Sequence, residues 1–286
     1  MTSSEDENIS TLVAMGFTCE KSKEALSASN GSLERAADIL LSGGPILPAE
    51  TNHPARSARD TASAQSQARL VHSGLSQYSD PSGKSACTSI ALTLAVNFLN
   101  DGEHSVTAEY LDRSVREGIQ MYSDLHATSG ASEHSSVEEL MAAVNLSAVH
   151  SEKLAPLTML GDSPRQGLLS NARDNPMGLG AVLSQCQRDA AHVNSYVAAV
   201  ITKPPETILV LLPPRGQSGL PYILVDSHPR PNLSQGSYAL LNSDFDGLLE
   251  SCRKIFSPTE LGPDVPELMA MMYNSFDVYP FVRETL

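Results

Sequence analysis

Two short segments hold residue types that together could perform acyl transfer. SGKSACTSIALTLA carries a lone cysteine, Cys87, at the head of an apolar run, and YILVDSHPR carries Asp226 and His228 far downstream. A thiol, an imidazole and a carboxylate are the parts of a cysteine-nucleophile site, in which the thiol attacks a carbonyl and the imidazole moves the proton. A thiol is a weak nucleophile until it ionises, and a helix N-terminus and a nearby imidazolium both favour the thiolate. Cys87 is placed for both, because Gly83, Lys84, Ser85 and Ala86 read as a turn and the helix is predicted to begin at Cys87 or Thr88. On composition alone, Cys87 reads first as a packing cysteine of a buried helix. Asp226 and His228 alone read equally as a solvated surface turn. Taken together they point to chemistry. Residues i and i+2 of a strand share a face, so the carboxylate can hold one ring nitrogen while the other meets the thiol.

The elements that must bring these groups together are legible in the hydrophobic patterns. Residues 87–99 are nearly all apolar and predict a buried helix, and 107–122 predict an amphipathic one with Thr107 as a cap. In 135–145, Ser135 and Glu138 predict a capping box. Residues 180–192 predict a further helix. The runs SYVAAVIT, ETILVLLP, YILVDSH and SYALLN read as strands, closely spaced and without intervening helices, which predicts an antiparallel meander. FDGLLESCRKIF returns to helix, and the Met-rich LMAMMYNSF reads as core or a docking surface. Helices first and an antiparallel sheet second is α+β architecture.

The N-terminal region is different. Within residues 5–45, three short helix-period stretches are separated by turn signals, with MGF ending the first and NGSLERA opening the last. Residues 46–67 are rich in Pro, Ala, Ser and polar side chains without periodicity and predict a flexible linker. Residues 68–286 then predict one larger domain.

Whole-chain properties exclude several classes. The chain has 286 residues, 41% of them apolar, and a net charge of −14, which argues against a nucleic-acid backbone as partner. The four cysteines, Cys19, Cys87, Cys186 and Cys252, form no CxxC pair and the histidines show no ligand spacing, so neither a metal nor another cofactor is expected. No apolar run is long enough to cross a membrane. The polar, acidic start and sparse cysteines predict a cytosolic or nuclear protein.

Two resemblances sharpen this picture. The N-terminal pattern resembles a ubiquitin-associated (UBA) domain, a three-helix bundle whose MGF loop and last helix meet ubiquitin. The resemblance implies Met15, Gly16, Phe17, Asp38, Leu40 and Leu41 as the ubiquitin-binding positions, although some of them must also hold so small a bundle together. The SACTSIALTLA and DSHPR segments resemble the herpesvirus large-tegument type of deubiquitinase and its cellular relatives, which have a papain-like fold and order their triad Cys…Asp-x-His. That resemblance implies Cys87 as nucleophile, His228 as general base and acid, Asp226 as the residue that orients it, and a glutamine upstream of the cysteine for the oxyanion. Gln77 is the first choice, with Gln120, Gln166 and Gln185 open. The implied partners are ubiquitin and polyubiquitin chains. The rivals are an inactive ubiquitin-binding adaptor, a protease for a ubiquitin-like modifier, and a different acyl transferase such as a transglutaminase-like enzyme or an arylamine acetyltransferase, which the Asp-x-His order disfavours.

Overall fold

The structure is a computed structural model of the full chain. It describes residues 8–9, 12–13, 17–29, 36 and 40 of the N-terminal region, and 68–101, 106–129, 135–144, 148–170, 175–262 and 264–283 of the rest. The predicted linker, 46–67, lies outside the described residues, as do Met15, Gly16, Asp38 and Leu41. By backbone proximity the chain divides into two units. One groups the N-terminal region with 169–171 and 253–275, and the other holds 66–168, 172–252 and 276–286.

In the first unit, helix α1 (Cys19–Ala28) is capped by Thr18, whose hydroxyl accepts from the Lys21 N–H at 3.3 Å. It buries Ala25 and Leu26 against Leu12, Phe17, Ala36 and Leu40. Residues 8–9, 12–13, 36 and 40 are helical as well, in keeping with the three helical stretches read from the pattern.

The second unit is built around the helix that carries Cys87. Helix α2 (Cys87–Asp101) is buried nearly all round: Ile90, Leu92, Leu94, Ala95, Val96 and Phe98 cover most of its circumference, and Ser89 and Thr93 on the remaining stripe are buried too. It therefore lies between the sheet and α3 (Ala108–Ser129), which is amphipathic and capped by Thr107 through the Tyr110 N–H at 3.2 Å. The α2–α3 crossing depends on Gly118, where a Cβ would stand 2.5 Å from the Ile90 Cα. Helices α4 (Val137–Val144) and α5 (Ala148–Leu154) follow. The capping box of α4 sits one residue later than expected: the Glu139 N–H donates to the Ser136 hydroxyl at 3.1 Å and the Ser136 N–H to the Glu139 carboxylate at 2.9 Å. Glu138 instead accepts from the Tyr279 hydroxyl at 2.6 Å.

The remaining elements are strands β1 (Arg69–His72), β2 (Leu157–Met159), β3 (Arg165–Leu168), β4 (Val197–Lys203), β5 (Glu206–Leu212), β6 (Tyr222–Asp226), β7 (Tyr238–Asn242) and β8 (Ser275–Arg283), with helices α6 (Leu179–Asp189), α7 (Phe245–Ile255) and α8 (Glu267–Asn274) between them. The strands form one sheet in the order β1-β7-β6-β5-β4-β8-β2, with β3 also on β8. The antiparallel meander β4 to β7 is as predicted. It is nearly all buried, so its strands read as continuous apolar runs rather than alternating ones. β1 and β8 extend it on either side. The Met-rich segment LMAMMYNSF divides: its methionines lie on α8, which belongs to the first unit, has no buried residue and exposes Leu268 and Met272 at 70% and 68%, while Phe276, in the second unit, is buried in β8.

Candidate active site

Cys87 is the first residue of α2. The chain reaches it through two single turns of 3-10 helix, Gln77–Ser79 and Pro81–Gly83, each with a side-chain cap. Ser76 accepts from the Tyr78 N–H at 3.2 Å, and Asp80 accepts from the Ser82 N–H at 2.8 Å. The Ala86 N–H then bonds the Gly83 carbonyl at 3.0 Å. Gly83 is indispensable to this path, because a Cβ there would lie 2.2 Å from the carbonyl oxygen of Gln77. At the start of α2 the Thr88 and Thr207 hydroxyls pair at 3.0 Å, tying the helix to β5.

Asp226 ends β6, so the Asp-x-His pair does not lie within a strand as the sequence reading had it. The two side chains still meet, by another route. The Asp226 carboxylate folds over its own backbone and accepts from the His228 N–H at 2.9 Å, an Asx-type turn. The same oxygen, Oδ1, takes the His228 Nδ1 at 2.6 Å. This fixes the ring and leaves the other nitrogen for the thiol. Both residues are buried, Asp226 fully and His228 to within 5%.

The second carboxylate oxygen, Oδ2, is held by groups the sequence reading did not identify. Tyr238 donates its hydroxyl at 3.0 Å, from the position directly opposite Asp226 in the β6–β7 register. Arg230 donates Nε at 3.0 Å and, with its terminal nitrogen, pairs Glu206 at 2.7 Å. A two-residue bridge to Ser234 holds the Arg230 backbone. The signal for these partners was slight: Arg230 stood between two prolines and read only as a strand terminator.

The electrostatics follow. Burial opposes ionisation of Asp226, yet the Arg230 charge first, then that of His228 and its hydrogen bonds, hold the carboxyl below its usual range. Burial likewise opposes a charged His228, but Asp226 dominates, with Cys87 and Glu206 adding to it, and raises the ring well above its ordinary value. Burial disfavours the Cys87 thiolate, and the hydrogen bond and charge of His228, with help from Thr207, outweigh it, so the thiol is lowered. The pairing therefore shifts Cys87 toward the thiolate and His228 toward the imidazolium. Cys186 shows the contrast: burial without a cationic partner of this kind pushes it up to about 11.

Gln77 is brought to this site from the other side. Its N–H donates to the Ser227 carbonyl at 3.2 Å, its side-chain oxygen accepts from the Ser227 hydroxyl at 3.0 Å, and its amide nitrogen donates to the Lys84 carbonyl at 3.2 Å. It thus bridges the turn before Cys87 and the residue between Asp226 and His228. Gln120 and Gln185 bond carboxylates within their own helices, and Gln166 is exposed on β3. Tyr78 sets its ring edge-on to His228, the centroids 6.2 Å apart.

Cys87 is only 5% exposed, but it lines a cavity of about 220 Å3 with Ser85, Pro205, Glu206, Thr207 and Asp277. The Pro205 carbonyl stands 3.8 Å from its sulfur. A larger cavity of about 630 Å3, lined by Leu99, His192, Tyr196, Gln217 and Arg283, contains none of the triad. Among the described residues no cluster of three or more His, Cys, Asp and Glu stands where a metal could be held. No described helix is long and apolar enough to cross a membrane.

The architecture has a solved counterpart. The ubiquitin-specific protease encoded by murine cytomegalovirus tegument protein M48, determined in complex with a ubiquitin-based suicide substrate, superposes with a TM-score of 0.50 at 15% identity, covering 76% of this chain and 88% of that one. The fold is papain-like. Residues 4–40 match the UBA/TS-N domain family. No curated protein matches the chain by sequence. Here α2 begins with Cys87 and packs on the sheet whose strand β6 ends at Asp226. Of the positions implied for the UBA surface, Phe17 and Leu40 are described, and both are buried in the bundle core at 7% and 8% exposure. They hold the bundle together in this structure, as so small a domain requires.

Proposed function

We propose that this protein is a cysteine-type deubiquitinase that cleaves the bond between the ubiquitin C-terminus and a lysine amine. The observation that carries this reading is the buried Asp226–His228 pair, whose ring lowers the Cys87 thiol at the head of α2, in a papain-like fold with a UBA domain before it. The Cys87 thiolate adds to the carbonyl carbon of the terminal glycine. The oxyanion that forms is met by the Cys87 N–H and the Gln77 amide, which has two protons and gives one to Lys84. One such donor is worth about 3–4 kcal/mol in a comparable site. His228 gives its proton to the leaving amine as the C–N bond breaks, leaving a thioester. Water, deprotonated by the same ring, then attacks the thioester and returns the thiol. Asp226 keeps the ring oriented throughout and stabilises its charged form.

In this reading the UBA domain binds a second ubiquitin, or a distal member of a chain, and raises its concentration near the thiol. The surface implied for it comprises Met15, Gly16, Asp38 and Leu41 together with whatever edges of Phe17 and Leu40 remain accessible. Ubiquitin and polyubiquitin are accordingly the proposed partners, in cytosol or nucleus, where thiols stay reduced. An inactive adaptor would have no use for a charged thiol–imidazole pair.

The test is a ubiquitin bearing a C-terminal electrophile. It is expected to form one adduct, at Cys87, and none with Cys87→Ala. An adduct that survives that substitution would refute the assignment. A parallel probe built on a ubiquitin-like modifier decides which modifier is taken.

A further inference from the structure

The Asp226 carboxylate carries more positive charge than a triad needs. A hydrogen-bonded histidine is enough to orient a ring, yet Arg230 also reaches Oδ2, and Glu206 in turn neutralises Arg230. Asp226 is fully buried, and the side chains of Arg230 and Glu206 are 16% and 20% exposed, so these charges act through little water. Glu206 also lines the cavity beside the Cys87 sulfur. It begins β5, at the end of the two-residue Pro204–Pro205 turn whose carbonyl touches that sulfur.

We infer that Arg230 and Glu206 are positioning residues: a charge-balanced clamp that fixes Asp226 and sets the pH range over which Cys87 is reactive. The inference rests on Cys87 being the nucleophile proposed above, but not on ubiquitin being the substrate.

The clamp works by sign. Arg230 shares the Asp226 charge with His228. Without Arg230, Asp226 keeps its bonds from the His228 N–H, the ring and Tyr238, and its whole charge falls on the imidazole. The site then holds one more net negative charge, which makes the thiol harder to ionise. Removing the Glu206 charge does the reverse: Arg230 is left less compensated, and the thiolate is favoured. The groups facing the pair from neighbouring elements are few. Tyr238 comes from β7 and Tyr78 from the turn before α2. Asp277 comes from β8, with a carboxyl that burial raises, and Glu138 on α4 is bound to Tyr279. Lys203 stands opposite Glu206 across the β4–β5 hairpin, and burial lowers it while Glu206 raises it. None of these bonds both Asp226 and a counter-charge as Arg230 does.

The experiment follows alkylation of Cys87 by iodoacetamide against pH in the full chain, with the modified peptide resolved by mass spectrometry so that Cys19 does not interfere. The midpoint of the wild-type rate profile is the reference. Arg230→Gln is expected to move it up by roughly one pH unit, and Glu206→Gln to move it down by a similar amount. The double substitution is expected to return close to wild type. Arg230→Lys keeps the charge and is expected to leave the midpoint within a few tenths of a unit. Shifts of one sign in both Gln variants, or no shift in either, would overturn the clamp. If Arg230→Gln does not fold, Glu206→Gln and Arg230→Lys still decide: an unmoved midpoint in the first, or a large shift in the second, rejects it. A chain whose profiles shift as expected but that ignores the ubiquitin electrophile keeps the clamp and loses the ubiquitin substrate. One labelled by the electrophile without these shifts does the opposite.

Discussion

Asp226 makes four hydrogen bonds from a fully buried position: two to His228, one to Arg230 and one to Tyr238. So placed, the group has a catalytic effect in the proposed enzyme and a stability effect, and the two can be measured separately. Asp226→Asn keeps the shape but removes the charge that supports the imidazolium, and is expected to lower turnover of a fluorogenic ubiquitin substrate by about 10²–10⁴-fold. On stability the signs run in opposite directions for the two partners. Asp226 is lowered in the folded chain, so its contribution is present above its unfolded value near 4 and is lost as pH falls through the folded one. His228 is raised, so its contribution is full below about 6.5 and is lost as pH climbs through the folded value. Urea midpoints should therefore show the wild-type advantage over Asp226→Asn shrinking in acid, and that over His228→Gln shrinking in alkali. Loss at the other end in either case would contradict the charge assignment.

At the scale of elements, Cys87 is positioned by close approaches that leave no room for a methyl group. Gly83→Ala places a Cβ against the Gln77 carbonyl and is expected to shift both Gln77, the proposed oxyanion donor, and the helix start, so activity falls more than the urea midpoint does. Gly118→Ala meets the Ile90 backbone at the α2–α3 crossing and is expected to cost about 1–3 kcal/mol in urea unfolding, with surviving molecules still labelled at Cys87. Equal effects of the two would mean that the loop has no special part in the site.

These elements also mark how far the sequence could be read. The α2 run is mostly apolar and the meander strands are short β-rich runs between turn residues, so both were visible as patterns. β8 was not, because Pro280 interrupts its run and a methionine-rich helix precedes it. The Ser135–Glu138 capping box was misplaced by one residue, since the two adjacent serines and two adjacent glutamates offer the same spacing twice. The triad types were legible from Cys87, Asp226 and His228. The partners of the Asp226 carboxylate were not, because Tyr238 meets it only through strand pairing and Glu206 meets Arg230 only from the start of another strand, and such pairing is not written in any local pattern.

Across the whole molecule, the two units have separate tasks in the proposed activity, and a substitution can remove one task alone. Leu26→Asp puts a charge into the cluster of Leu12, Phe17, Ala36 and Leu40. It is expected to melt the small bundle, leave turnover of a single-ubiquitin substrate within about twofold, and raise the KM for polyubiquitin by tenfold or more, the lower end of what tethering supplies. An unchanged KM for chains would remove the UBA domain from substrate capture.

The anchoring of Asp226 by Tyr238 has a consequence for assembly. The tyrosine meets the carboxylate only because the two strands pair Asp226 with Tyr238, and a slip of a single residue would turn that phenol to the far side of the sheet. Mispaired chains would thus lose one of the four bonds that hold the Asp226 carboxylate. In the proposed enzyme, correct registration of the sheet is thereby coupled to how firmly the orienting carboxylate is anchored, so a molecule that has folded wrongly there is expected to be a weaker catalyst.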